Sequence, residues 1–330
     1  ELVNVLDTYG AGDAISTHHP ALRGFYDQVI MDLTEENVRE TAKKSDVIMI
    51  QVPSGDVAKW AEIVLAEDCA IIDIGADIRF RDVDVWEKWY GQKHPDAKMT
   101  HDAVYCIPEV MRDLAKGKKL IANPGCYPTA STLGLQPMLK AGHIVDNTIV
   151  IDAKSGYTGA GRRPALNKLL TEAENNFCAY ALGGGHRHTP EIEQNIAYIT
   201  GKDLMKPETW QYINFQPHLL PQVRGIEVTI YATCDKDYTN EEVYEMYKEF
   251  YKDEPFVKVF PASMPVQTKW VYGTNFCEMT PTFDARTHRL IVSSVIDNIG
   301  KGAAGQAIQN MNLIMGLPET TGLMMPPMYP

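Results

Sequence analysis

The chain has 330 residues, 45% hydrophobic and 22% charged, with 31 lysines and arginines against 43 aspartates and glutamates. That balance excludes disordered, collagen-like and coiled-coil classes, and the length gives room for two domains, each with its own core. A formal charge of -12 argues against a nucleic acid or an anionic membrane as partner, while leaving a local arginine-lined pocket open to an anionic substrate.

No apolar run reaches the roughly 18 residues a membrane helix needs, and the start lacks the basic-then-apolar pattern of a signal peptide. Six cysteines are scattered without a C-x-x-C pair, the ordinary usage of buried thiols in a reducing compartment, so a cytoplasmic location is expected.

In chain order, Glu1-Leu-Val-Asn-Val-Leu6 reads as a strand already under way, from which a segment preceding Glu1 is expected. Thr34 to Lys44 opens on a threonine cap with glutamates in its first turn, a helix start. Apolar runs at Val47–Val52, Ala70–Ile74 and Leu120–Ala122 alternate with helix-like stretches such as Val57–Ala66. Strands apolar on both faces and separated by helices predict a parallel sheet covered on both sides. Residues 1–125 therefore read as a doubly wound, Rossmann-type domain, with its ligand beyond the C-terminal strand ends.

Residues 126–296 change character. Ile226–Thr233 alternates strictly and Arg289–Val295 does so in part, the pattern of antiparallel strands with one wet face. Between them, Thr239-Asn-Glu-Glu242 is a capping box opening a helix with Val243, Met246, Tyr247 and Phe250 on its apolar face. This is an α+β catalytic domain with a mixed or antiparallel sheet, whose face offers a surface for a homodimer or homotetramer. Residues 297–330 form a terminal helix, Lys301 to Gly316, with Ala303, Ala304, Ala307, Met311 and Ile314 on its apolar side, and a tail returning to the first domain.

The strongest chemical signal is Asn123-Pro-Gly-Cys126-Tyr-Pro-Thr-Ala130. A strand runs into a Pro-Gly turn and then a helix, placing Cys126 at a helix N-terminus where backbone N–H groups and the dipole favour a thiolate nucleophile. Gly183-Gly-Gly-His186-Arg187-His188-Thr-Pro-Glu191 supplies an acid/base, with either His186 or His188 in that role, Glu191 orienting His188 and Arg187 binding an anion. A His-x-His metal pair is the competing reading, but no local carboxylate or sulfur completes it, so no metal is expected.

Ser155-Gly156-Tyr-Thr-Gly159-Ala-Gly161-Arg162 follows a strand at Ile149–Ala153 and could cradle a phosphate or a nicotinamide amide. Asp297-Asn298-Ile-Gly300-Lys301-Gly302 offers further N–H groups and an amide. Gly75 to Arg79 sits at a parallel strand end, and Arg79 and Arg224 are further candidate anion clamps. No G-x-G-x-x-G follows a first strand: Gly10-Ala-Gly12 comes close, but it follows what reads as the second strand and position 15 is Ile15.

Together the segments at 123–130, 153–162, 185–194 and 301–307, with Trp89-Tyr-Gly91, Pro217-His-Leu219 and Gly316-Leu-Pro-Glu-Thr-Thr321, resemble the N-acetyl-γ-glutamyl-phosphate reductases. These belong with the aspartate-semialdehyde dehydrogenase-like enzymes, and the resemblance runs from residue 1 to 330 in matching order; it implies that residues 1–125 bind a dinucleotide and that a first strand and a glycine-rich loop precede Glu1. It implies a step of arginine biosynthesis: NADPH-dependent reduction of a small acyl phosphate to a semialdehyde through a cysteine thioester, with release of phosphate.

Cys126 matches the family nucleophile, and His188 its acid/base, with His186 in reserve and Glu191 orienting His188. Arg79, Arg187, Arg224, Asn123 and Ser155 are expected at the substrate. Gly75, Ser155, Gly156, Gly159, Gly161, Arg162, Asn298, Gly300, Lys301 and Gly302 are expected at the cofactor. Asp7-Thr-Tyr9 departs from the family's Ser or Arg after the second strand. An acid there grips a free ribose, so NAD stands beside NADP. Two alternatives remain at this level: a related reductase acting on aminoadipyl or aspartyl phosphate, and a cysteine hydrolase or acyltransferase that needs no nicotinamide.

Overall fold

The computed structural model describes residues 1–161 and 165–328. After a short helix α1 (Ile15–His18), α2 (Glu35–Ala42) starts where Thr34 accepts the Asn37 N–H as an N-cap. Then β1 (Val47–Ile50), α3 (Val57–Ala66) and β2 (Ala70–Asp73) follow as the apolar pattern requires. α4 (Val83–Tyr90) is capped by Asp82 and ended by Gly91 in the left-handed region, φ 70°. α5 (Ala97–Asp102), β3 (Val104–Tyr105), α6 (Pro108–Ala115) and β4 (Leu120–Ala122) complete an all-parallel sheet in the order β1-β2-β4-β3.

Val3–Leu6 does not form the expected strand. It makes a single parallel bridge, Leu6 to Met31, and Leu2 and Val3 remain exposed. Strand propensity becomes a strand only where a ladder partner lies alongside, and here pairing stops after one bridge.

The chain then enters α7 (Cys126–Lys140), the central buried helix. Pro137 lies inside it and cannot donate to the carbonyl of Leu133 one turn back; the Tyr251 hydroxyl donates to that carbonyl instead, at 2.5 Å.

The second sheet is mixed and seven-stranded. Its members in chain order are β5 (Val150–Ser155), β6 (Cys178–Ala179), β7 (Asn214–Leu219), β8 (Ile226–Thr233), β9 (Val257–Val259), β10 (Cys277–Asp284) and β11 (Arg289–Ile296). In space they run β6-β7-β5-β8-β11-β10-β9. Strict alternation along β8 turns Ile226, Val228, Ile230 and Ala232 into the core, and Gly134 of α7 packs so closely that a Cβ there would lie 2.6 Å from Ile230.

Helices α8 (Leu170–Ala173), α9 (Thr189–Ile199) and α10 (Asn240–Phe250) join these strands. The Thr239–Glu242 capping box opens α10, which buries Val243 and Tyr247 but leaves Phe250 38% exposed.

The terminal helix corrects the sequence reading. Gly300–Ala304 forms a π-helical turn, and α11 (Gly305–Ile314) follows it. Rather than a purely apolar face, α11 buries Gln306, Gln309, Asn310 and Asn312. Their amides reach back to Thr129, Glu109, Cys106 and Glu319. These bonds tie the helix to α6, to α7, to the end of β3 and to the tail, and they satisfy amide N–H groups that burial would otherwise penalise.

Candidate active site

Cys126 is the first residue of α7, directly after the end of β4. One residue earlier, the Gly125 N–H donates to Glu191 Oε1 at 2.8 Å. The same carboxylate accepts from the Tyr105 hydroxyl at 2.9 Å, and its other oxygen accepts from Arg79 at 3.1 Å. Arg79 also donates to the carbonyls of Asn123 and Ile74, at 2.9 and 3.0 Å. The turn that presents the nucleophile is thus held from both sides by one buried ion pair.

His188 caps α9 and lies against that turn: a Cβ on Gly125 would fall 2.5 Å from its Nε2. Its ring is ringed by aromatics, with Tyr127 at 6.0 Å and His186 at 4.8 Å between centroids, and the Tyr180 ring faces His186 at 5.5 Å. His188 Nδ1 is buried without a hydrogen-bond partner. Burial, together with His186 and Arg79, holds the His188 imidazole well below its ordinary pKa. His186 is pushed down to about 4 by burial and by Arg187; its Nδ1 accepts the His188 N–H at 3.1 Å. Both rings are therefore neutral at neutral pH.

Burial pushes the Cys126 thiol up to about 11, opposed by the Tyr127 N–H and the Arg79 guanidinium. The expected pre-formed thiolate is not what the helix N-terminus produces here, because desolvation of the sulfur outweighs the N–H groups. Across the cleft, Gly302 of the π-turn faces the nucleophile: a Cβ there would lie 2.8 Å from Cys126 Cβ.

An 850 Å³ cavity is bounded by Tyr157, Thr158 and Gly161 of the glycine-rich loop, by Leu169, Leu170 and Ala173 of the segment that follows, and by Val223 and Ile299. Residues of the two loops expected at the cofactor, Thr158 and Ile299, both border this space, whose walls are largely apolar.

Residues 1–118 match the family model "Semialdehyde dehydrogenase, NAD binding domain", and residues 126–298 match "Semialdehyde dehydrogenase, dimerisation domain". The N-acetyl-gamma-glutamyl-phosphate reductase of Desulforudis audaxviator (strain MP104C) is 44% identical over 330 residues, 100% of this chain and 92% of that protein. The chain belongs to the N-acetyl-γ-glutamyl-phosphate reductase family. The reductase of the same name from Symbiobacterium thermophilum is 44% identical over 320 residues, 97% of this chain and 89% of that one. Aspartate semialdehyde dehydrogenase II from Vibrio cholerae shares the fold at a TM-score of 0.68 and 16% identity, over 95% of this chain and 90% of that chain.

Family membership makes the chain an oxidoreductase that takes a nicotinamide cofactor and carries a dimerisation domain, and it sets aside the hydrolase reading. No described helix is long and apolar enough to cross a membrane.

Against this site several sequence expectations need correction. Glu191 does not orient His188; it clamps Gly125, Tyr105 and Arg79. Arg79, only 7% exposed, is engaged by that pair and two carbonyls and is no open anion clamp. Asn123 is fully buried, with its amide between the Ala303 carbonyl and Asn310. Lys301 is fully buried on Glu109 and Gln309 rather than facing a ligand.

The backbone donors assigned to a phosphate are also taken within the chain. Gly75 donates to Asp73, Gly156 to Gly225, Gly159 to Gly156, Gly161 to Thr158, and Gly300 and Gly302 to Asp297. Gly156 is required by close approach, since a Cβ would meet the Val223 backbone at 2.8 Å. Asn298 braces the loops, accepting from Gly225 and donating to Thr158, and the buried Ser155 hydroxyl donates to Gly156. Arg224 is ion-paired with Asp297 at 2.9 Å and remains partly open, whereas Arg187 is exposed; Arg162 lies outside the described residues.

Tyr105, Tyr127 and Tyr180 were missed. Nothing in the local sequence distinguishes them from core tyrosines, and only the fold gathers them around Glu191 and the two histidines.

Proposed function

We propose that this chain reduces N-acetyl-γ-glutamyl phosphate to N-acetylglutamate semialdehyde, releasing phosphate, as a step of arginine biosynthesis. The observation that carries this reading is His188, its Nδ1 without a partner, packed against the Gly125 turn that immediately precedes Cys126. His188 takes the thiol proton as the sulfur attacks the acyl carbon; the C–S bond forms, the C–O bond to phosphate breaks, and a thioester is left on Cys126. The chemistry a bound reduced nicotinamide supplies is a hydride, with Tyr157, Thr158, Gly161 and Ile299 as the residues that would hold its ring. His188 then holds the proton against the developing oxyanion and takes it back as the C–S bond breaks and the aldehyde leaves.

Arg187 binds the substrate carboxylate and Arg224 the phosphate side. Residues 1–125 take the cofactor, 126–296 carry the nucleophile and the contacts of a homodimer or homotetramer, and 297–330 close back on the first domain. The compartment is the cytoplasm. NADPH is the reductant the family resemblance implies, and the exposed Asp7 narrows its margin over NADH because an acid repels a 2′-phosphate.

The reaction is tested in reverse: N-acetylglutamate semialdehyde, phosphate and NADP or NAD are mixed with the protein, and reduced-nicotinamide absorbance is followed. Phosphate-dependent formation of reduced cofactor is expected. No signal with either cofactor defeats the reading, and faster turnover of the aspartate or aminoadipate semialdehyde reassigns the substrate.

A further inference from the structure

Arg187 has no carboxylate partner among the described residues. Its guanidinium lies instead over the ring of Tyr90, 4.7 Å from the centroid. Tyr90 stacks on Trp86, one helical turn earlier in α4, with centroids 4.9 Å apart and planes within 6°. Trp86 is fully buried and meets the edge of His94 at 4.8 Å. His94 is itself fixed: the Asp96 N–H donates to its Nδ1 at 3.1 Å, so its Nε2–H donates to the Asp77 carbonyl at 2.8 Å. His94, Trp86, Tyr90 and Arg187 thus form a column that starts inside the first domain and ends on the loop carrying the two histidines.

The way Arg187 is held matters. A salt bridge would occupy the edge donors of the guanidinium, whereas stacking on an aromatic ring uses its face and leaves the planar N–H fork free for a carboxylate. Arg79, by contrast, has its donors engaged by Glu191 and two carbonyls.

We infer that Tyr90 is a positioning residue: from the cofactor domain it fixes the Arg187 guanidinium so that its edge meets the substrate carboxylate at a set distance from Cys126. The inference rests on the reductase reading above. It gives a role to the Trp89-Tyr-Gly91 segment, with Gly91 ending α4 immediately after the ring, and it makes substrate selection depend on both domains.

The test uses the full chain, and wild-type turnover of N-acetylglutamate semialdehyde with phosphate is established first; its absence defeats the reductase reading, not this one. Tyr90→Leu, which removes the ring face, is expected to raise KM for the semialdehyde on the order of tenfold, with kcat within about threefold and KM for phosphate and cofactor little moved. Tyr90→Phe keeps the ring face and is expected to rescue KM. Arg187→Lys, at an exposed position that tolerates change, keeps the charge but not the planar fork and is expected to raise the same KM. With the substrate carboxylate replaced by its methyl ester, Tyr90→Leu and wild type are expected to converge. Equal losses on the ester, a Tyr90→Leu effect confined to kcat, or an Arg187→Lys enzyme with wild-type KM would each overturn the inference.

Discussion

Glu191 accepts a hydrogen bond from the backbone of Gly125 at 2.8 Å, so a carboxylate on α9 fixes the residue immediately before the nucleophile on α7. With Arg79 ion-paired to the same group, the position of the sulfur depends on a charge pair held almost entirely out of water. Removing one partner strands the other.

Glu191→Ala is therefore expected to cost about 3–5 kcal/mol, as breaking a buried pair does, and to lower kcat through displacement of the turn. Urea unfolding gives the first number and single-turnover kinetics the second. A stable, fully active variant would show that the clamp does not position Cys126.

Alkylation reports the state of the thiol. With Cys126 raised to about 11 in the free chain, its rate of reaction with iodoacetamide is expected to climb steadily from neutral pH toward that value, because only the thiolate reacts. Rates that level off near neutrality would mean that the thiolate is pre-formed. Cys126→Ala serves as the blank and is expected to have no reductase activity.

Gly302→Ala places a Cβ 2.8 Å from Cys126 Cβ. Either the π-turn or the nucleophile must move, and displacement of about 1 Å can cost on the order of 100-fold in rate. A fall in kcat of at least tenfold is expected in steady-state assays, with thermal unfolding little changed. Unaltered kcat would show that the turn gives way freely.

Stability also carries a pH signature. Asp73 is fully buried and burial raises it from 3.8 to about 7, with Oδ2 unpartnered. Between those two values the unfolded chain has released the proton while the folded chain still holds it, so this group's contribution to stability falls as pH rises and is level above about 7. Asp73→Asn is expected to gain stability over wild type on the order of 3 kcal/mol at pH ~8, with the advantage shrinking toward acid. Paired urea titrations at the two ends of the range measure it, and a pH-independent difference would refute it.

The sequence by itself determined the alternation of apolar runs and capped helices in the first half, the strict two-residue period of β8 and the capping box of α10, because these patterns depend on neighbours along the chain. It also determined that Cys126 starts a helix after a strand and that two histidines share one loop, since turn chemistry is local. What it could not determine is where long polar side chains end up. Arg79, Asn123 and Lys301 look like ligands in sequence, yet each is buried against a partner far along the chain: Glu191, Asn310 and Glu109. The amides of α11 share the buried side with Ala307 and Leu313 for the same reason, since hydropathy counts a Gln as outward while a paired Gln can be buried at little cost. The protonation states of Cys126 and His188 were likewise decided in three dimensions. A helix N-terminus favours a thiolate, and so does the Arg79 guanidinium, but the packing that desolvates the sulfur belongs to the tertiary structure and outweighs both.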